Sequence, residues 1–99
     1  MIIQLKKFGT TLTSRDEGKE AFAAFQPSLS VISKAEEVKV DFSGVNTLTP
    51  SWADEFITPL VKLFNDRLVL VETNNLSVQA TLDLLEVIHK YKFIRSKSG

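Results

Sequence analysis

Asp54 and Glu55, the lone His89, and the hydroxyls of Thr47, Thr49 and Ser51 are the groups of this chain best suited to chemistry. Adjacent carboxylates can divide acid and base roles, but neighbours on a helix point about 100° apart, which makes Asp54 and Glu55 a poor pair for that purpose. The positive end of a helix dipole accounts for them better. A hydrolytic triad needs a nucleophile, a base and an orienting group. His89 supplies one candidate base, at a helix end crowded by Lys90 and Lys92, where a capping or solvated histidine is expected. The absence of cysteine excludes a thiol nucleophile, a disulfide framework and every cysteine-based metal site, and one histidine leaves zinc short of ligands. Neither a GxxxxGKS/T phosphate loop nor a GxGxxG turn occurs. Lys90, Lys92, Arg95 and Lys97 interleave with Tyr91 and Phe93, yet nothing elsewhere extends them into a basic patch, and nucleic acid is not expected as a partner. The expectation is a protein that is not an enzyme and holds no cofactor or metal.

The hydroxyl cluster is less easily set aside. Ser51 is placed to cap a helix, with Asp54 three residues on in a variant of the capping box. Free N–H groups at such a start favour an anion. A phosphate on Ser51 or a neighbour would add nearly two negative charges beside Asp54 and Glu55 and alter any docking surface there. Plain capping explains the same residues.

Elements that could position these groups follow from the apolar spacing. Met1 to Phe8 reads as a strand with Ile3 and Leu5 inward and Phe8 a further candidate for that face, ending at Gly9-Thr10. A first helix begins at Ser14, an N-cap with Glu17 at capping-box distance. Its stripe Phe22, Phe25, Leu29, Ile32 contains Pro27, which predicts a kink or two short helices. Val38 to Phe42 alternates as a strand, and Val45 to Thr49 connects it to a second helix carrying Trp52, Phe56, Leu60 and Phe64, with Pro59 bending it. Leu68 to Val71 is apolar on both sides, as in a central strand covered by helices on one face or both. Asn74-Asn75 turns the chain, Ser77 opens a third helix with Val78, Leu82, Leu85 and Ile88 inward, and Phe93-Ile94 either adds an edge strand or packs on the core. The pattern predicts an α/β fold, a small layered domain with a mixed, mainly parallel sheet of about four strands and three to four helices, spanning residues 1–99 as one unit.

VKVDFSGVNTLTPSWADEF resembles the central block of the STAS fold, shared by anti-anti-sigma factors and the cytosolic ends of sulfate transporters. The chain is also similar to a STAS-like family of unknown function from bacteria and archaea. That family shows an SRxxG helix start, a V-x-DF-x-GV strand, an S-F/W-ADE helix and a late N-x-x-V turn. These correspond to Ser14-Arg15-Asp16-Glu17-Gly18, Val40 to Val45 with Asp41 inside it, Ser51-Trp52-Ala53-Asp54-Glu55, and Asn75 to Val78. Where anti-anti-sigma factors carry Asp-Ser-Ser-Gly, an ungapped alignment puts Thr49-Pro50-Ser51-Trp52, so Pro50 takes the place of the usual phosphoacceptor.

Within that resemblance, Gly18 in a helical turn costs about 1 kcal/mol against Ala, and its use suggests close backbone approach. Arg15 is expected either to pair with Asp54 or Glu55 or to be solvated. Trp52, one residue after the predicted cap, is either a core anchor or a displayed contact. The resemblance implies a regulatory, non-catalytic interaction module that docks a signalling protein through Thr49, Ser51, Trp52, Asp54 and Glu55, the partner being a histidine-kinase-type ATPase or another regulator. The alternative is a small-ligand or nucleotide-binding domain using the same helix N-terminus. Twelve basic and twelve acidic residues, 43% hydrophobic content and no long apolar run predict a cytoplasmic protein with no membrane insertion. A homodimer through an edge strand, Ile2 to Leu5 or Phe93-Ile94, is left open.

Overall fold

Val38 and Val40 alternate with Lys39 and Asp41, and this two-residue period makes Val38–Asp41 a strand with one buried apolar face. In the computed structural model, which describes residues 1–33 and 35–97, it is the third of six strands. In chain order the elements are β1 (Ile2–Gln4), β2 (Thr11–Leu12), α1 (Arg15–Leu29), β3 (Val38–Asp41), β4 (Thr47–Leu48), α2 (Pro50–Phe64), β5 (Leu68–Val71), α3 (Leu76–His89) and β6 (Ile94–Ser96). Short 3-10 turns at Leu5–Phe8 and Asn65–Arg67 complete the chain order.

The main sheet has the order β1-β3-β5-β6, and every neighbouring pair among the described residues is parallel, so the expected α/β layering on a mainly parallel sheet of four strands holds. A second small sheet joins β2 to β4, also in parallel, within the segment read from sequence as a connector. Ile3, Leu5, Val38, Val40, Leu68 and Leu70 point into one core with residues of all three helices. The other sheet face carries Ile2, which is 63% exposed, and the row Lys39, Val69, Ile94 across the strands. Helices therefore cover β5 on one face only. Val69 is buried on the opposite face outside the main core, beside its cross-strand neighbours Lys39 and Ile94.

Other departures from the sequence reading have local causes. The first strand stops at Gln4, because Leu5 and Phe8 both turn inward three residues apart, a spacing that a 3-10 turn puts on one side. Pro27 lies only two residues before the end of α1, so its missing N–H disturbs the last turn without dividing the helix. Ile32 follows the helix and packs against the core from outside it. Asn75, not Ser77, caps α3, and the Ser77 hydroxyl instead holds both the N–H and the C=O of Leu48 at 3.1 and 3.2 Å. Ile88 is 57% exposed, since at about 100° per residue it falls away from Val78, Leu82 and Leu85.

Helix α1 lies on the start of α2, and an aromatic group fills the contact. Trp52 stacks on Phe56 at 5.0 Å, and Phe8, Phe22 and Phe25 pack their rings around Phe56. Gly18 is the point of closest approach: a Cβ there would stand 2.6 Å from the Trp52 carbonyl oxygen. The helical glycine is thus required by the neighbouring backbone. Although alanine is the better helix former by about 1 kcal/mol, Gly18→Ala is expected to destabilise the fold by about 1–3 kcal/mol, because α1 must move off α2. Urea unfolding measures the sign directly; a stabilised variant would mean the two helices are not in contact.

Candidate functional site

Proline is favoured at the first position of a helix, where its missing N–H costs nothing and its fixed φ suits the turn. Pro50 takes that position in α2, which moves the cap from Ser51 to Thr49. The Thr49 hydroxyl accepts from the Trp52 N–H at 3.4 Å and donates to the Thr13 carbonyl at 2.7 Å. The capping box expected between Ser51 and Asp54 is therefore replaced by a Thr49 cap that also ties α2 to the strand before α1. Ser51 stands half-buried in the first turn. Trp52, at 1% exposure, lies in the core, which makes it a support beneath this surface and not a displayed side chain.

Asp54 is the meeting point of three helices. Its Oδ1 accepts from the Thr58 hydroxyl at 2.8 Å and lies 2.8 Å from His89 Nε2, while Oδ2 accepts from Arg15 Nη1 at 3.3 Å. A carboxylate only accepts, so His89 Nε2 carries the proton in this contact. Arg15 Nη1 also donates to Glu55 Oε1 at 2.9 Å, and one guanidinium thus bridges carboxylates that point apart. The pairing of Arg15 with both acids is the one left open by the sequence. The His89 ring stacks on Tyr91 with centroids 5.6 Å apart. Tyr91 buries its hydroxyl near Thr58 with no hydrogen-bond partner at good geometry among the described residues.

Charge follows from these contacts. Partial burial alone would raise the Asp54 carboxyl, but hydrogen bonds from Thr58, His89 and Arg15 outweigh it and hold it below the usual carboxylate value. Hydrogen bonds to Glu55 first, and Asp54 second, push the Arg15 guanidinium above its ordinary value. Burial pushes the Tyr91 phenol up. Two carboxylates against one guanidinium leave this end of α2 acidic. It is poorly equipped for an anion: Pro50 has no N–H, and the Trp52 N–H already bonds Thr49, which leaves Ser51 as the donor of the first turn.

The remaining predicted residues support the frame. Ser14 caps α1, accepting from the Glu17 N–H at 3.1 Å. Asp41 accepts from the Ser43 N–H at 3.0 Å and closes the turn after β3, apart from the Asp54 group. Asn75 accepts from the Val78 N–H and donates through Nδ2 to the carbonyls of Val45 and Asn46, pinning α3 to the segment before β4. Sequence reasoning missed Thr58, His89 and Tyr91 as members of the group. Thr58 was findable from its i+4 spacing to Asp54. His89 is 35 residues from Asp54, and no local pattern joins them.

The family described as STAS-like domain of unknown function (DUF4325) matches residues 19–78, more than half of the chain. The matched segment takes in most of α1, then β3, β4, α2, β5 and the start of α3; Ser14, Arg15 and Gly18 lie just ahead of it. No curated protein and no solved structure matches.

The depressed Asp54 carboxyl sets a sign for the pH dependence. Such a group stabilises the fold fully above its unfolded pKa of about 4 and loses that contribution as the pH falls through the lower folded value. The stability difference between wild type and Asp54→Asn is therefore expected to shrink as the pH is lowered from about 5 towards 3. Chemical unfolding of both proteins across that range checks it; a difference that stays constant would remove Asp54 from the centre of the group.

Proposed function

The chain belongs to the family of STAS-like domains of unknown function, and on that footing we propose that it is a non-catalytic regulatory module that docks a signalling protein through the start of α2. The docking surface is the half-exposed first turn and a half, Pro50, Ser51, Asp54 and Glu55, with Thr49 at its edge. The observation that carries this reading is the way the turn is held. Trp52 and Ala53 anchor it from below, Thr49 ties it to Thr13, and Arg15 and His89 brace Asp54 from two other helices. A surface fixed before binding loses little conformational freedom when a partner arrives, and this is how a small acidic patch gains affinity.

The resemblance to anti-anti-sigma factors suggests the class of partner, a histidine-kinase-type ATPase or another regulator. Its contact would present basic or donor groups to Asp54 and Glu55. Ser51 is the hydroxyl through which a modification would alter that contact, since a phosphate there adds charge beside both acids.

The test is site-specific photo-cross-linking followed by affinity measurement. A photoreactive residue at Ser51 is expected to capture a protein that the same probe at Gln26, on the exposed side of α1, does not. Ser51→Glu and Glu55→Lys are then expected to weaken binding of the purified partner at least about tenfold, equal to about 1.4 kcal/mol, with unchanged circular dichroism. Equal binding by both folded variants would place the interface elsewhere and reject this reading.

A further inference from the structure

Histidine is the side chain whose ordinary charge change falls between about pH 5 and 8, and this sequence has one, His89, and no cysteine. The amino terminus, the other group of that ordinary range, is held against Glu36 and not at the α2 junction. His89 stands in the last turn of α3, its side chain 30% exposed, with Nε2 2.8 Å from Asp54 Oδ1 and its ring stacked on Tyr91. With Nε2–H donating to Asp54, the neutral imidazole and the imidazolium both keep this hydrogen bond. The two forms differ at Nδ1, which makes no hydrogen bond among the described residues.

The charge of the junction therefore changes while its geometry stays. Asp54 and Glu55 share the guanidinium of Arg15, which leaves one net negative charge beside a neutral ring and none beside an imidazolium. Partial burial would raise the Asp54 carboxyl, but hydrogen bonds from Thr58, His89 and Arg15 outweigh it, so Asp54 stays ionised while a histidine changes charge.

Charges of both signs surround the ring. Asp54 faces it from α2, and Arg15 of α1 reaches it only through Asp54. Glu86, one turn back on α3, is taken up by Arg95 of β6 at 3.2 Å, with Lys92 at 3.9 Å, and Lys90 follows His89 directly. Burial pushes the Tyr91 phenol up, which keeps it neutral. Of these residue types, histidine alone ordinarily changes charge between about pH 5 and 8.

We propose that His89 gates the acidic start of α2 by pH: with a neutral ring, Asp54 and Glu55 present a net negative charge to a basic partner, and with an imidazolium that charge is cancelled and docking weakens. The inference rests on the docking reading above and names the regulation of that same surface. A partner that contacts Asp54 and Glu55 senses the state of the ring through the His89–Asp54 contact alone. The gate is electrostatic and leaves the α1–α2–α3 junction closed in both states, because the hydrogen bond to Asp54 is common to them. Its size is that of one exposed ion pair, about two- to fivefold in affinity.

Charged nitroxides read this surface without a partner. The ratio of amide-proton relaxation caused by a quaternary-ammonium nitroxide to that caused by a sulfonate nitroxide reports the local potential. At the Ser51, Asp54 and Glu55 amides of wild type, this ratio is expected to fall about 1.5- to 2-fold from about pH 8 to 5.5, the effect of one screened charge. His89→Gln keeps a donor for Asp54 and never charges, so its ratio is expected to stay high; His89→Lys, charged throughout, is expected to stay low. A constant ratio in wild type overturns the proposal, and so does an equal fall in either folded variant. Photo-cross-linking through Ser51 supplies the second readout. Capture of a protein by wild type is expected to fall about two- to fivefold over the same pH range and to stay level with His89→Gln. Level capture by wild type overturns the gate while leaving the docking surface in place. No capture through Ser51 at either pH rejects the docking reading itself, and the gate falls with it even where the nitroxide ratio responds.

Discussion

The backbone contact between Gly18 and Trp52 constrains most of the rest. With no Cβ on Gly18, α1 approaches α2 closely enough for Arg15, one turn earlier, to bridge Asp54 and Glu55. The same approach closes the aromatic group around Phe56 and buries Trp52. A larger residue at position 18 would open all three contacts together, because two packed helices cannot part at one point and stay seated at the next. The position of the acidic surface is therefore a packing result before it is an electrostatic one.

Asp54 turns that packing into a three-helix junction. Its two oxygens take donors from α1, from its own helix and from the end of α3. Each contact is modest by itself at a partly solvated site. Their combined effect is geometric: they set the orientation of α2 relative to both neighbours, while Thr49 and Asn75 fix the loops on the other side. The outcome is a first turn of α2 with polar side chains outward and very little freedom beneath them. The His89–Asp54 contact joins the end of α3 to α2.

Much of this was legible in the residues, for physical reasons that differ by element. The alternation in Val38–Asp41 and the continuous apolar run of Leu68–Val71 carry enough periodicity to identify the inner strands. Ser14 as a cap and Gly18 as a close approach could be read from local rules, because both concern the helix that contains them. The cap of α2 was misplaced by two residues: Ser51 and Thr49 are both good caps, and the preference of Pro50 for the first helical position decides between them. The two-residue strands β2 and β4 are too short to show a period. His89 could not be assigned to Asp54, because only the path of α3 over α2 brings them together. The one-sided cover of the sheet was equally hidden, since Val69 looks like a core residue in sequence and is buried outside the main core.

The central claim is that the start of α2 is rigid before any partner binds. Native-state hydrogen exchange of the Ala53 to Phe56 amides, compared with Val69 and Leu70 in β5, tests it most directly. Ala53 bonds to Thr49 across the cap, and the β5 amides belong to the inner sheet. If the turn is fixed by its neighbours, its amides exchange only through the same global opening as the sheet, with similar free energies and the same denaturant dependence. Fast exchange at Ala53 to Phe56 while β5 remains protected would show a locally fraying helix start and contradict the account.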